Sequence, residues 1–151
     1  MKQVESAQGF SVGQTLRIWA EPEEVHVVGT RYGRVLVEWP WRQPDPESRN
    51  RWAAMGFPLD PDDRRWKNTA WRLMPEPADL KVGSNCYVGI PSTVVRVTTI
   101  LDLEGEADYG WLPRPEWKIG LCPVEDLDDE DAGYVMYVQS HEPIEFEVIE
   151  S

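Results

Sequence analysis

Three groups of residues in this chain are of types that do chemistry at a protein surface. The first is residues 39–72, which open W-P-W-R and close W-R. They hold five of the eight tryptophans and seven of the fifteen basic residues. Arginine stacks on indole and forks onto phosphate or carboxylate. Interleaving the two suits bases, phosphates or an acidic peptide. Arg51-Trp52 and the run Arg64, Arg65, Trp66, Lys67 are its densest parts. The same stretch carries Asp45, Glu47, Asp60, Asp62 and Asp63, so residues 42–72 have a net charge of only +2. That is a weak footprint for phosphate binding. The simpler reading is that these arginines pair with neighbouring acids and the tryptophans cover a β core.

The second group is the acidic run Glu125, Asp126, Leu127, Asp128, Asp129, Glu130, Asp131. Asp126, Asp128 and Glu130 alternate as in a calcium loop. Asp131 stands where that loop needs glycine, and Tyr137 where it needs a bidentate glutamate. The run therefore reads either as a solvated loop or as a docking surface whose oxygens imitate a row of phosphates. The third group is Cys86, Cys122, His26 and His141. Zinc sites bring ligands in close pairs, and here the cysteines alone lie 36 residues apart. No metal and no cofactor are expected. No nucleophile motif and no glycine-rich phosphate loop occur, and with 27 acids no single carboxylate pair stands out. The chain is expected not to be an enzyme.

Charge sharpens the choice. Residues 1–77 balance at 11 basic against 11 acidic residues, whereas residues 78–151 have 4 against 16. The whole net charge of −12 thus comes from the second half. Such a field repels nucleic acid and anionic membranes and steers basic partners inward. The reading favoured here is a non-enzymatic acidic protein that docks on a basic protein partner, of inhibitor or immunity type. Its candidate contacts are Asp126, Asp128, Asp129, Glu130 and Asp131, with Arg51, Trp52, Arg64, Arg65 and Trp66. A nucleic-acid-binding β-barrel that uses the Arg/Trp segment is the alternative. No membrane partner is expected. Two cysteines are too few for a disulfide scaffold, and no signal-peptide pattern or long apolar run is present, so a cytoplasmic location is expected.

These residues need a scaffold, and the pattern predicts an all-β one. Thirteen prolines among 151 residues argue against long helices. Period-two alternation predicts strands over 14–20, 25–27, 34–41, 69–74, 85–90, 93–101, 109–112, 117–122, 134–138 and 144–149. Turns are expected at 21–23, 29–33 and, rich in acid, 104–108. Ser48 would cap one short helix over 49–55. On the last strand Ile144, Phe146 and Val148 should point inward. An ungapped offset of 70 residues aligns 10–41 with 80–111. It matches Val12/Val82, Gly13/Gly83, Val25/Val95, Val27/Val97 and Trp41/Trp111. Chance likeness between two small sheets gives a similar pattern, so the offset leaves duplication open. The expected architecture is two small SH3-like barrel or sandwich units, with a Trp/Arg-rich loop and one short helix between them. Residues 1–77 form the first and 78–151 the strongly acidic second, either separate or packed as one domain. The likeness is architectural, and no family is implied.

Overall fold

A computed structural model describes residues 2–51, 53–103, 109–138 and 141–151. The chain is mostly β. In order its strands are β1 (Lys2–Gln3), β2 (Ser6–Ala7), β3 (Phe10–Ser11), β4 (Thr15–Arg31), β5 (Arg34–Glu38), β6 (Gln43–Pro44) and β7 (Ala54–Pro58). They continue as β8 (Arg72–Met74), β9 (Asn85–Asp102), β10 (Trp111–Leu112), β11 (Trp117–Pro123), β12 (Tyr134–Val138) and β13 (Glu145–Glu150). Short 3-10 helices occupy Arg64–Asn68, Pro77–Asp79 and Val124–Asp126. The main sheet runs β12-β11-β9-β4-β5-β7, and its part from β12 to β4 curls into a half-barrel. Strands β1 and β8 add to β9, and β13 adds to β4. Among the described residues no helix is long and apolar enough to cross a membrane.

The two long strands correct the expected turns. Residues 14–20 and 25–27 are parts of one strand, β4, and 85–90 and 93–101 are parts of another, β9. Prolines 22 and 91 do not break them, because each sits in a bulge. Pairing steps from Ala20↔Ile90 to Glu23↔Val88, leaving Glu21 and Pro22 opposite Gly89 alone. It steps from Ile18↔Thr93 to Ala20↔Ile90, leaving Pro91 and Ser92 opposite Trp19 alone. A bulged residue leaves the ladder, so the missing proline N–H costs no strand bond there. Gly89 is needed at this crossing. A Cβ on it would meet the Ala20 carbonyl oxygen at 2.9 Å and the Pro22 Cα at 3.1 Å, both backbone atoms. At Gly120 the near atoms are instead the Thr99 and Thr98 hydroxyls, which can rotate. Gly89→Ala should therefore cost about 2–3 kcal/mol, and more than Gly120→Ala. Denaturant midpoints of the two variants check the order.

Backbone bonds recur at the offset of 70 residues. Gly13 N–H donates to the Val97 carbonyl, and Gly83 N–H to the Val27 carbonyl, both at 2.8 Å. Val97 N–H donates to Gln14 O, and Val27 N–H to Ser84 O, both at 2.9 Å. Gly13 and Gly83 have φ near +90° and +87°, a conformation that glycine adopts without a Cβ penalty. As a result β9 begins beside the far half of β4, and β4 begins beside the far half of β9. Strand β8 then closes on Val88, and β13 closes on Ile18.

Other expectations shift. The helix over 49–55 is absent from the described residues, because Ala54–Pro58 extends to pair with β5 along its whole length. Sheet burial of Phe57 outweighs the local capping signal of Ser48. A 3-10 helix stands at Arg64–Asn68 instead. Phe146 and Val148 do alternate with glutamates, but they remain 39% and 47% exposed, because β13 packs at an edge of the sheet. Trp52 and the acidic turn 104–108 lie outside the described residues. The core joins both halves through Leu16, Ile18, Val25, Val27, Val35, Val37, Val88, Val95, Val97 and Ile119.

Candidate functional site

The 3-10 helix Arg64–Asn68 carries the basic run. Asp63 caps it: its carboxylate accepts from the Arg65 backbone N–H at 2.9 Å and from the Arg65 guanidinium at 2.7 Å. These bonds hold the Asp63 carboxyl down to about 2. The link stabilises the helix start at pH values above the ordinary carboxylate range, near 4. It is lost as pH falls through 2, the usual sign for a depressed acid. A carbon-detected titration of wild type should place the Asp63 midpoint near 2. Arg65→Ala removes the guanidinium but keeps the backbone N–H bond, so it should raise the midpoint only part of the way towards the ordinary aspartate value of about 3.9.

Trp66 is half-buried, stacked on Phe57 at 5.9 Å between centroids, and its Nε1–H donates to the Asp60 carbonyl at 3.0 Å. The Arg72 guanidinium lies 5.2 Å from its ring centroid. Trp66 and Arg65 are therefore engaged within the first half. Arg51 is exposed.

The acidic run begins with the 3-10 helix Val124–Asp126 and ends just before β12. It folds back on the basic helix. Asn68 Nδ2 donates to the Asp131 carbonyl at 2.7 Å, and Gly133 N–H to the Lys67 carbonyl at 3.1 Å. Lys67 Nζ meets Asp129 at 2.9 Å, and the Arg64 guanidinium meets Asp131 at 3.3 Å and Asp129 at 3.7 Å. The Lys67 ammonium, with the Asp131 backbone N–H, holds the Asp129 carboxyl below its ordinary value, and Asp129 raises Lys67 in turn. Within the run, Asp129 N–H donates to Asp126 O at 2.9 Å, and the buried Cys122 thiol donates to Asp126 O at 3.5 Å. Burial pushes that thiol's pKa up, as it does for Cys86. Both thiols are thereby held towards the neutral form.

The structure thus brings Arg64 together with Asp129 and Asp131, and leaves Arg65 and Trp66 turned to their own segment. Among the described residues no ion pair reaches Glu125, Asp126, Asp128 or Glu130. An open depression of about 760 Å³ lies between the two segments, lined by Arg64, Lys67, Glu125, Asp126, Asp128, Asp129 and Glu130. Lys67 and Asn68 are the residues that sequence reasoning missed as organisers. Their partners lie 62 and 63 residues away, so local pattern could not reveal them.

Elsewhere the Trp/Arg segment acts as a clasp. Arg42, 7% exposed, lies 4.1 Å from the Trp111 ring centroid and 5.8 Å from that of Trp39. Burial lowers its pKa, while Glu142 and Tyr137 oppose the shift. Strands β6 and β10 pair nearby, and Arg114 meets the buried Asp45 at 2.8 Å. His26 is exposed on β4, 3.3 Å from Glu38, whereas Cys86 is buried. Among the described residues no group of three or more His, Cys, Asp or Glu is placed to hold a metal ion. An apolar groove of about 350 Å³ over the bulges is lined by Trp19, Pro22, Met74, Tyr87 and Pro91, with Glu21 its single carboxylate.

Comparison of the chain with protein families, with curated proteins and with solved structures finds no match.

Proposed function

We propose that this chain is a non-enzymatic acidic binding protein that docks on a basic protein, in the manner of an inhibitor or immunity protein. The observation that carries this reading is the segment 125–131. Its backbone is tied down by Asn68 at Asp131 and by Cys122 at Asp126, with Lys67 holding the Asp129 side chain, while Glu125, Asp128, Glu130 and Asp131 stay exposed. A fixed acidic surface loses little conformational entropy on binding, and a basic surface would pair with Glu125, Asp128 and Glu130. The net charge of −12 adds long-range steering. The intramolecular engagement of Arg64, Arg65 and Trp66 weighs against a nucleic-acid surface on the same helix.

The scaffold for this surface we read as two copies of one small SH3-like unit, with their first strands exchanged. Support comes from the offset of 70 residues between equivalent backbone bonds and from the closure of β8 on β9 and of β13 on β4. The test of function is capture from nuclease-treated host lysate at low and high salt. A basic protein recovered, and weakened by salt, is the expected result. Nucleic acid recovered from untreated lysate, with no protein after nuclease treatment, would overturn the reading.

A further inference from the structure

Strand β13 is the second acidic element of the second half, and it lies at an edge. Among the described residues its one strand neighbour is β4. All six of its residues, Glu145–Glu150, are exposed. Its apolar members Phe146, Val148 and Ile149 are 39%, 47% and 43% exposed. The corresponding closing strand, β8, buries Leu73 to 8% exposure. Phe146 lies against Phe10, with centroids 4.4 Å apart. Beside it runs a groove of about 200 Å³ lined by Phe10, Met136, Val138, Ile144 and Phe146 among others. An edge strand is a template for another strand, and natural edges are guarded against it by charged side chains, lysine above all, by proline or by bulges; here the guards are glutamates and one bulge between Val148 and Glu150. This edge has no lysine and no proline. It carries Glu145, Glu147 and Glu150.

Those glutamates select the occupant. Two copies of β13 pairing with their apolar faces on one side would set Glu145 and Glu147 of one against the same residues of the other. Like charges directly opposite destabilise a sheet. A strand that alternates basic with apolar residues meets the reverse situation: its cations face the glutamates and its apolar residues extend the Phe146 face over the groove. The neighbouring cation already present is Arg17, 3.3 Å from Glu147 on the β4 side. The strand register also links the two acidic elements. Val148 pairs with Leu16, Leu16 with Val95, and Val95 with Pro123, the residue before the acidic segment. Three strand spacings, about 14 Å along the curled sheet, separate them.

We infer that β13 is a strand-addition site, and that the basic partner inserts an extended segment of alternating basic and apolar residues along it. This rests on the docking reading and adds a second, backbone-mediated contact to it. The test uses the whole chain and a short peptide alternating lysine and valine. Backbone amide shifts should concentrate on residues 145–150. The same peptide N-methylated at alternate residues keeps its charge but loses one edge of N–H donors, and it should bind at least about tenfold more weakly. Glu145→Gln with Glu147→Gln should also weaken the unmodified peptide at least about tenfold. Equal affinity of the methylated peptide, or shifts confined to residues 125–131, would overturn strand addition and leave acidic docking standing. Docking itself is decided separately, by Asp128→Lys with Glu130→Lys against the captured protein. A wild-type chain that dimerises through β13 would also overturn the inference.

Discussion

Trp39→Ala is expected to destabilise the fold by about 3–5 kcal/mol, the range for deleting a buried aromatic. Trp39 is 2% exposed, although it lies just beyond the end of β5. Its ring meets Trp41 and Trp71 edge-on, each at 4.9 Å, and Phe57 at 6.2 Å. Its Nε1–H donates to Glu142 at 3.0 Å, across 103 residues of sequence. Truncation removes aromatic packing in the first half and a link to the second at once. For a chain of this size the melting temperature should fall by about 10 °C or more. Trp41 is half-buried and stacks on Trp71 at 5.1 Å, so Trp41→Ala should cost less. Thermal melts of the two variants check the order. An unchanged melting temperature for Trp39→Ala would contradict the packing described above.

Asp128→Lys with Glu130→Lys is expected to weaken binding to the basic partner on the order of 100-fold, since close charge pairs across an interface couple strongly. Both residues are exposed, and no ion pair among the described residues holds them. The fold should therefore be little affected, because exposed charges contribute little to stability. Calorimetric titration with the partner measures the loss. The deficit should shrink as salt rises, because screening weakens the wild-type attraction first. Reversal that leaves affinity unchanged would remove the acidic segment from the interface.

The scaffold was largely legible from period two. Strands β12 and β13 fall where alternation puts them, and β5 starts there but ends at Glu38 instead of residue 41. Continuity through Pro22 and Pro91 was hidden, because proline in isolation signals a turn and only the partner strand shows that each lies in a bulge. The short helix near Ser48 failed for a related reason: pairing with β5 overrides a capping signal. Alternation also could not say how well each inward face is covered. Leu73 and Phe146 both occupy closing strands, yet one is buried and the other partly open. The acidic and basic runs were visible as composition. Their mutual fit was not, because Lys67 and Asp129 meet across 62 residues. The clasp of Arg42 on Trp111 was equally beyond local pattern.

Arg64 and Arg65 separate the acidic account from its alternative by sign. Arg64 stands beside Asp129 and Asp131, so it subtracts from the acidic surface. The deciding measurement is the affinity of Arg64→Glu with Arg65→Glu for the captured basic protein, relative to wild type, with the melting temperature recorded alongside. Equal or tighter binding, at a nearly unchanged melting temperature, is the result predicted. Clearly weaker binding by a folded variant would place the contact on the Arg/Trp segment and contradict docking through residues 125–131.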